Sequence, residues 1–277
     1  MPTITCPLYY ARMYVDQTTA DDREKWHNQV KLVELFDKLK KPVLLYADYT
    51  STNFHDLHTA LFTRDSADGV RIYFAAFPND STNPLVPRNY EGAVTVLYAP
   101  CSHDTSTNSY TDLGKYYLVH PYQGVTDIGY TDAKKWIDDF RGPSNILNSL
   151  TDIVKKYVPS PPPYPYHSDT KCMIHTRRDF NDFLTEIDCH DVFQIRAKFS
   201  SYHDHETLPE ARTYMCRTIM VYELIDVGGN VINIKTPGRK PQPITKTHNS
   251  ETVVEDFSDD FNNGQLCPPD INCAGGI

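Results

Sequence analysis

The fold of this chain is decided by one stretch of sequence, V-R-I-Y-F-A-A-F at residues 70–77. Apolar side chains recur at alternate positions, which predicts a β-strand with Val70, Ile72 and Phe74 on one side and Arg71 and Tyr73 on a solvated or ligand-facing side. The β-branched run A-V-T-V-L-Y at residues 93–98 predicts the next strand. Short connections between such strands favour an antiparallel or mixed sheet with helices packed on one face.

Helical patterns lie before this strand pair. Between residues 20 and 41, apolar residues recur every three or four positions, which predicts an amphipathic helix that ends at Pro42. Its apolar face is predicted to contain Trp26, Val30, Val33, Phe36 and Leu39. The run V-L-L-Y at residues 43–46 predicts a short strand, and N-F-H-D-L at residues 53–57 predicts a helix capped by Asn53.

The same order of elements returns in the second half of the chain. A helical pattern at residues 131–157, split at Gly142-Pro143, is followed by C-M-I at 172–174, D-F-N-D-F at 179–183, I-R-A-K-F-S-S-Y at 195–202 and R-T-I-M-V-Y at 217–222. Arg71 matches Arg196, and Phe74 matches Phe199. Because the same order of elements occurs twice, the sequence predicts an α+β protein made of two similar α-β-α-β-β units.

The predicted units span residues 1–128 and 129–277, and the second carries a Pro-rich insertion around P-P-P-Y-P at 161–165 and a flexible C-terminal tail. Because the proline tract lies inside the second unit, one compact body is favoured over two hinged domains. The pattern V-G-G-N-V at 227–231 predicts a tight hairpin turn.

Composition excludes several classes of protein. The formal net charge of −9 works against broad binding to nucleic acids or anionic membranes. No stretch approaches the ~18 apolar residues of a membrane-spanning helix, and residues 1–15 lack the pattern of a signal peptide, so a cytoplasmic location is expected. The seven cysteines are scattered, which favours reduced thiols, although Cys267 and Cys273 could form a small disulfide loop or half of a metal site.

Two short stretches carry a resemblance to known sequences. G-V-R-I-Y-F-A at residues 69–75 and G-Q-L-C-P-P at residues 264–269 resemble a group of uncharacterised small proteins from Bacteroidota bacteria. Those proteins tend to carry one helix-strand unit with a Gly-Ile/Val-Arg-x-Tyr-Phe strand and a late Cys-Pro-Pro. Here the unit is expected as a tandem duplicate, and its second copy departs from the pattern at Gln194 and Lys198. The resemblance implies no activity.

The strongest candidate binding residues are Arg71, Tyr73, Arg196 and Lys198, because they occupy matching places on the two repeated strands. Their cationic face could hold a small anionic ligand or the carboxylates of a partner protein. Two alternatives remain: this face is simply the wetted side of a sheet, or the arginines pair with helix carboxylates such as Asp56 or Asp182.

Candidates for catalysis are weaker. Phosphate-binding loops, G-x-S-x-G elbows and H-E-x-x-H helices do not occur in the sequence. His203 and His205, one residue apart after a strand, could share a metal ion with His248, although an exposed connecting loop is the preferred explanation for them. His55 and His58 lie on one helix face, but the second unit has Asn181 and Leu184 at the matching positions, so a surface role is preferred to a shared metal site. Any cysteine nucleophile would come from Cys101, Cys172, Cys189 or Cys216, which also suit small buried apolar positions.

Two functional hypotheses follow. The first is a non-catalytic binding or accessory protein without a cofactor, which recognises a protein or small anionic ligand through the sheet face or through the loops 78–89 and 203–211. The second is a metal-dependent hydrolase that uses His203, His205 and a third ligand. Neither hypothesis includes a nucleic-acid or membrane partner, and the oligomeric state is left open.

Overall fold

Helices and antiparallel strands alternate along the chain. The computed structural model describes residues 17–39, 46–80, 82–120, 124–142, 146–157, 169–190, 192–202, 216–232 and 265–266. The helices are α1 (Gln17–Trp26), α2 (Val33–Leu39), α3 (Ser51–His58), α4 (Tyr130–Arg141), α5 (Ile146–Tyr157) and α6 (Arg177–Cys189), with π-helical segments at His27–Leu32 and Thr59–Arg64. Within these ranges, no helix has the length and apolar character needed to cross a membrane.

The strands form two antiparallel sheets, which confirms an α+β fold. They are β1 (Tyr46–Thr50), β2 (Gly69–Ala76), β3 (Val94–Asp104), β4 (Ser109–Asp112), β5 (Tyr116–His120), β6 (Gly124–Ile128), β7 (Cys172–Thr176), β8 (Gln194–Ser201), β9 (Thr218–Ile225) and β10 (Gln265–Leu266). The smaller sheet has the order β1-β8-β9. The larger has the order β10-β7-β2-β3-β5-β6, and β4 pairs with β3.

The two halves of the chain exchange strands. In the smaller sheet, β1 from the first half pairs with β8, where Thr50 lies opposite Gln194. In the larger sheet, β7 from the second half pairs with β2, where Thr176 lies opposite Gly69. The order β1-β8-β9 is therefore matched by β7-β2-β3. The duplication itself, and the boundary after residue 128, stay predictions.

The helices that follow the exchanged strands begin in the same way. Thr50 accepts a hydrogen bond from the amide of Asn53 at 3.2 Å and its own amide donates to the Asn53 side chain at 2.9 Å. Thr176 and Asp179 form the same reciprocal box. Each box satisfies two amides that a helix start leaves without an intrahelical acceptor. Asn53 is therefore the third helical residue here, and the cap lies three residues earlier than the sequence predicted.

The largest apolar cluster among the described residues contains side chains from both sheets. Phe74 of β2 packs against Phe199 of β8 with ring centroids 5.8 Å apart. Phe54 of α3 stacks on Phe180 of α6 with centroids 6.1 Å apart, and both rings are buried. In each of the two predicted pairs of equivalent phenylalanines, the two rings therefore contact each other in this core.

Helices cover both faces of the larger sheet, which corrects the expectation of helices on one face. All eight residues of β2 are buried. The second face of this strand is covered by α4, whose Trp136 and Ile137 belong to the same apolar cluster as Tyr73 and Ala75. The prediction of a solvated side for residues 70–77 is therefore wrong, because α4 supplies a second apolar layer that local periodicity does not reveal.

The first helix buries a different face from the one predicted. Val33 and Phe36 are 54% and 53% exposed, whereas Lys31 and Leu35 are buried. The cause is the π-helical segment His27–Leu32. A π turn holds more residues than an α turn, so it rotates every later side chain away from the position that a period of 3.6 residues gives.

Candidate functional site

A cleft of about 510 Å³ opens between the two sheets. One wall is formed by residues 47–50 of β1 with Phe193 and Gln194 at the start of β8. The other wall comes from β3 and β5, and the loop after β2 closes one side; these parts contribute Thr95, Leu118, Val119, His120, Phe77, Pro87 and Tyr90. This volume lies within the range typical of ligand-binding clefts. We refer to this set of residues as the cleft.

Two aromatic rings stand exposed at the cleft. Phe193 is 59% exposed and Tyr90 is 37% exposed. Aromatic rings carry large contact areas and are enriched where proteins bind other molecules. The cleft therefore offers apolar surface that a ligand can cover.

The charged group that lines the cleft is a carboxylate rather than a cation. Asp48 accepts two hydrogen bonds from Arg196, at 2.7 Å from Nε and 3.1 Å from Nη2. Burial lowers the pKa of His120 below its ordinary value, so the imidazole is neutral at pH 7. Among the described lining residues, Asp48 is the one carboxylate, and Arg196 on the neighbouring strand balances part of its charge. Neutral and cationic ligands fit this electrostatic environment better than anionic ligands do.

Arg71 and Tyr73, the predicted binding residues on β2, do not line the cleft. They form a buried polar cluster with Asp112. The Arg71 side chain is fully buried, and it donates to Asp112 Oδ1 at 2.5 Å and to the Tyr110 carbonyl oxygen at 2.8 Å. The Tyr73 hydroxyl donates to Asp112 Oδ2 at 2.5 Å. Burial and the Asp112 charge raise the pKa of Tyr73 well above its ordinary value. Arg71 thus pairs with a carboxylate of β4, not with Asp56 and not on a wetted face.

Arg196 and Lys198, the matching residues on β8, are also paired with carboxylates. Arg196 holds Asp48 of the neighbouring strand β1. Lys198 Nζ donates to Glu24 Oε2 at 2.7 Å and to Glu223 Oε1 at 2.6 Å. With Arg71 and Tyr73 on one sheet and Arg196 and Lys198 on the other, the four predicted residues do not form one site.

Oxygen atoms of Asp21, Glu24 and Glu223 lie within 4.8 Å of one another, a spacing that a cation could use. The ammonium group of Lys198 already donates to two of these carboxylates. The cluster is therefore explained as the counter-charge of a lysine.

The predicted histidine ligands His203, His205 and His248 lie outside the described residues. His55 and His58 each form a hydrogen bond to a different residue of α6. His55 Nε2 lies 2.9 Å from Asp188 Oδ1, and His58 Nε2 lies 2.7 Å from Asn181 Oδ1. These contacts join α3 to α6.

The described cysteines divide into two kinds. Cys101, Cys172 and Cys216 are buried and are not disulfide-bonded. Burial raises the pKa of the Cys172 thiol to about 11, which makes it a poor nucleophile at neutral pH. Cys189 is disulfide-bonded, and its partner lies outside the described residues. The prediction of reduced thiols is therefore wrong for Cys189; its position at the end of α6 gave no local signal of a distant partner.

A second buried polar cluster was not identified from the sequence. Lys31 Nζ donates to Asp169 Oδ2 at 2.7 Å and to Thr218 Oγ1 at 2.8 Å, and both charged side chains are fully buried. The neighbouring His27 Nδ1 lies 2.7 Å from Ser201 Oγ. The adjacent cavity, of about 20 Å³, has room for roughly one water molecule, so this cluster supports the fold rather than a ligand.

Comparison with known proteins assigns no family to the chain. No family model, curated protein or solved structure matches it. The resemblance to the Bacteroidota proteins stays a prediction, and the case for a function depends on the geometry of the cleft.

Proposed function

We propose that this protein is a non-catalytic binding protein and that the cleft is its ligand site. The observation that carries the proposal is a 510 Å³ opening between two sheets with the exposed rings of Phe193 and Tyr90 beside it. Covering these rings with a ligand removes apolar surface from water, which stabilises the bound state.

The polar groups of the cleft suit recognition. Asp48 is held in one orientation by its two hydrogen bonds from Arg196, which makes it a fixed acceptor for a ligand donor. The expected ligand therefore has an apolar or aromatic body and a neutral or cationic polar group. An anionic ligand is less well supported, because Arg71, Arg196 and Lys198 already bond to carboxylates.

The proposal is tested by screening the full-length chain with aromatic fragments by ligand-observed NMR, in sets that differ only in carrying an amine, an amide or a carboxylate. We expect amine and amide fragments to bind and Phe193→Ala and Tyr90→Ala to weaken them at least about tenfold, equivalent to roughly 1.4 kcal/mol. Val227→Ala is the matched control, because Val227 is 85% exposed but lies on the hairpin after β9. Fragment binding that neither aromatic substitution changes would overturn the proposal.

A further inference from the structure

We infer that the ligand of the cleft is an extended peptide segment of another protein, which adds as an antiparallel strand to the outer edge of β1. This inference rests on the proposed function and names the class of its partner. It is carried by the outer edge of β1, which has no partner strand among the described residues, and by β10, which occupies the corresponding edge of β7.

The outer edge of β1 faces the cleft. Among the described strands, β1 pairs with β8 alone, so the backbone groups on its other edge have no strand partner there. Residues 47, 48, 49 and 50 all line the cleft. Successive side chains of a strand point to opposite faces, so four consecutive lining residues mean that the cleft runs along the edge of the strand.

The matching edge in the other sheet already carries an added strand. β7 holds in the order β7-β2-β3 the place that β1 holds in β1-β8-β9. The outer edge of β7 pairs with β10, where Gln265 lies opposite Ile174 and Leu266 lies opposite Met173 in antiparallel register. The chain itself thus shows strand addition at one of two corresponding edges, and β1 is the edge where the described residues leave room for a partner.

A partner of different sequence fits this edge better than a second copy of the chain. Asp48 is the middle residue of the five-residue strand β1. Symmetric antiparallel pairing of two β1 strands would place Asp48 opposite Asp48, and like charges directly opposite each other destabilise a strand pair. A partner strand with a basic or neutral residue at that position avoids this repulsion. Its apolar residues, two positions apart, would contact Phe193 and Tyr90.

The test begins with selection of linear peptides from a random phage-displayed library against the full-length chain. We expect the selected peptides to carry apolar residues at positions i and i+2 together with a basic residue, and to lose affinity at least about tenfold towards Phe193→Ala. Bound peptide should slow amide hydrogen exchange within residues 47–50. In a scan of N-methylated peptides, methylation should abolish binding at alternate positions and leave the intervening positions nearly unchanged, because alternate amides of a strand face its partner.

The outcomes separate this inference from the proposed function. If the peptides bind and Phe193→Ala weakens them, but N-methylation has no alternating effect, strand addition is wrong while the cleft remains a binding site. If no peptide is selected, or if light scattering shows a dimer that Asp48→Lys disrupts, the inference of a peptide partner is overturned. The proposed function is then judged by the fragment screen alone.

Discussion

Buried neutral histidines should make this protein lose stability on mild acidification. His27 and His175 are 2% and 4% exposed. Burial, with the nearby charge of Lys31, lowers the pKa of His27 to about 3, although Asp169 acts in the opposite direction. Burial also lowers the pKa of His175 to about 4 against the opposing charge of Asp179. In an unfolded chain, a histidine titrates near pH 6.5.

The sign follows from which state binds the proton. Both folded pKa values lie below the unfolded value, so the stabilising contribution is complete above about pH 6.5 and is lost as pH falls towards 4 and then 3. The slope is about 1.4 kcal/mol per pH unit for each histidine. Between pH 7.5 and pH 5, the loss amounts to about 2 kcal/mol per histidine, or about 4 kcal/mol for both, from a total stability that is typically only 5–15 kcal/mol.

Urea unfolding followed by circular dichroism at pH 7.5 and pH 5 measures this loss. His27→Gln and His175→Gln should each reduce the difference in unfolding free energy between the two pH values by about 2 kcal/mol, whatever they do to stability at pH 7.5. The comparison must be made between variants, because burial raises the pKa of Glu186 and this carboxyl works in the opposite direction. Asn28→Gln, on the same helical segment as His27, removes no titrating group and serves as control.

A variant that keeps the wild-type pH difference while remaining folded at pH 7.5 would refute the reasoning. It would mean that the imidazole accepts a proton in the folded state, either through water entry or through local opening of the helix. Loss of the pH difference in the Asn28→Gln control would refute it equally, because that result would attribute the effect to helix packing.

Three further predictions concern other buried contacts. Asp112→Asn should lower the free energy of unfolding in urea by about 3–5 kcal/mol, because it leaves the buried Arg71 without its carboxylate, and Arg71→Met in the same chain should recover part of the loss. Thr176→Ala should cost about 1 kcal/mol in the same assay because it removes the cap of α6; an unchanged midpoint would contradict the observed cap. Non-reducing peptide mapping should join the peptide of Cys189 to one that contains Cys6, Cys267 or Cys273, and finding only a free thiol at Cys189 would contradict the disulfide.

Local patterns predicted local structure well. The strands at residues 70–77, 93–98, 195–202 and 217–222 all correspond to observed strands, and the break at Gly142-Pro143 separates α4 from α5. These features depend on side-chain period and on breaker residues within a few positions. What the patterns could not provide was pairing, because the partner of β1 lies almost 150 residues away along the chain.

The cleft could not have been found as a motif. Its lining residues come from six separate parts of the chain, and its ionisable residues Asp48 and His120 lie far apart in the sequence. Phe193 precedes Gln194, one of the two positions where the second copy departs from its predicted family pattern, but nothing local shows that the ring is exposed. The ion pairs of Arg71 and Arg196 could not be predicted for a related reason: the carboxylates that bond to them lie on β4 and β1, which only the folded sheets bring near.

The strand exchange explains why the site lies where it does. β1, from the first half of the chain, pairs with β8, from the second half. The cleft lies between these two strands and strands β3 and β5, so both halves of the chain contribute to it. The same exchange places α3 beside α6, where Phe54 stacks on Phe180. If the predicted duplication produced this arrangement, it also produced two corresponding edges that could diverge. One edge is closed by β10, whereas the edge of β1 has no partner strand among the described residues, as the proposed binding role requires.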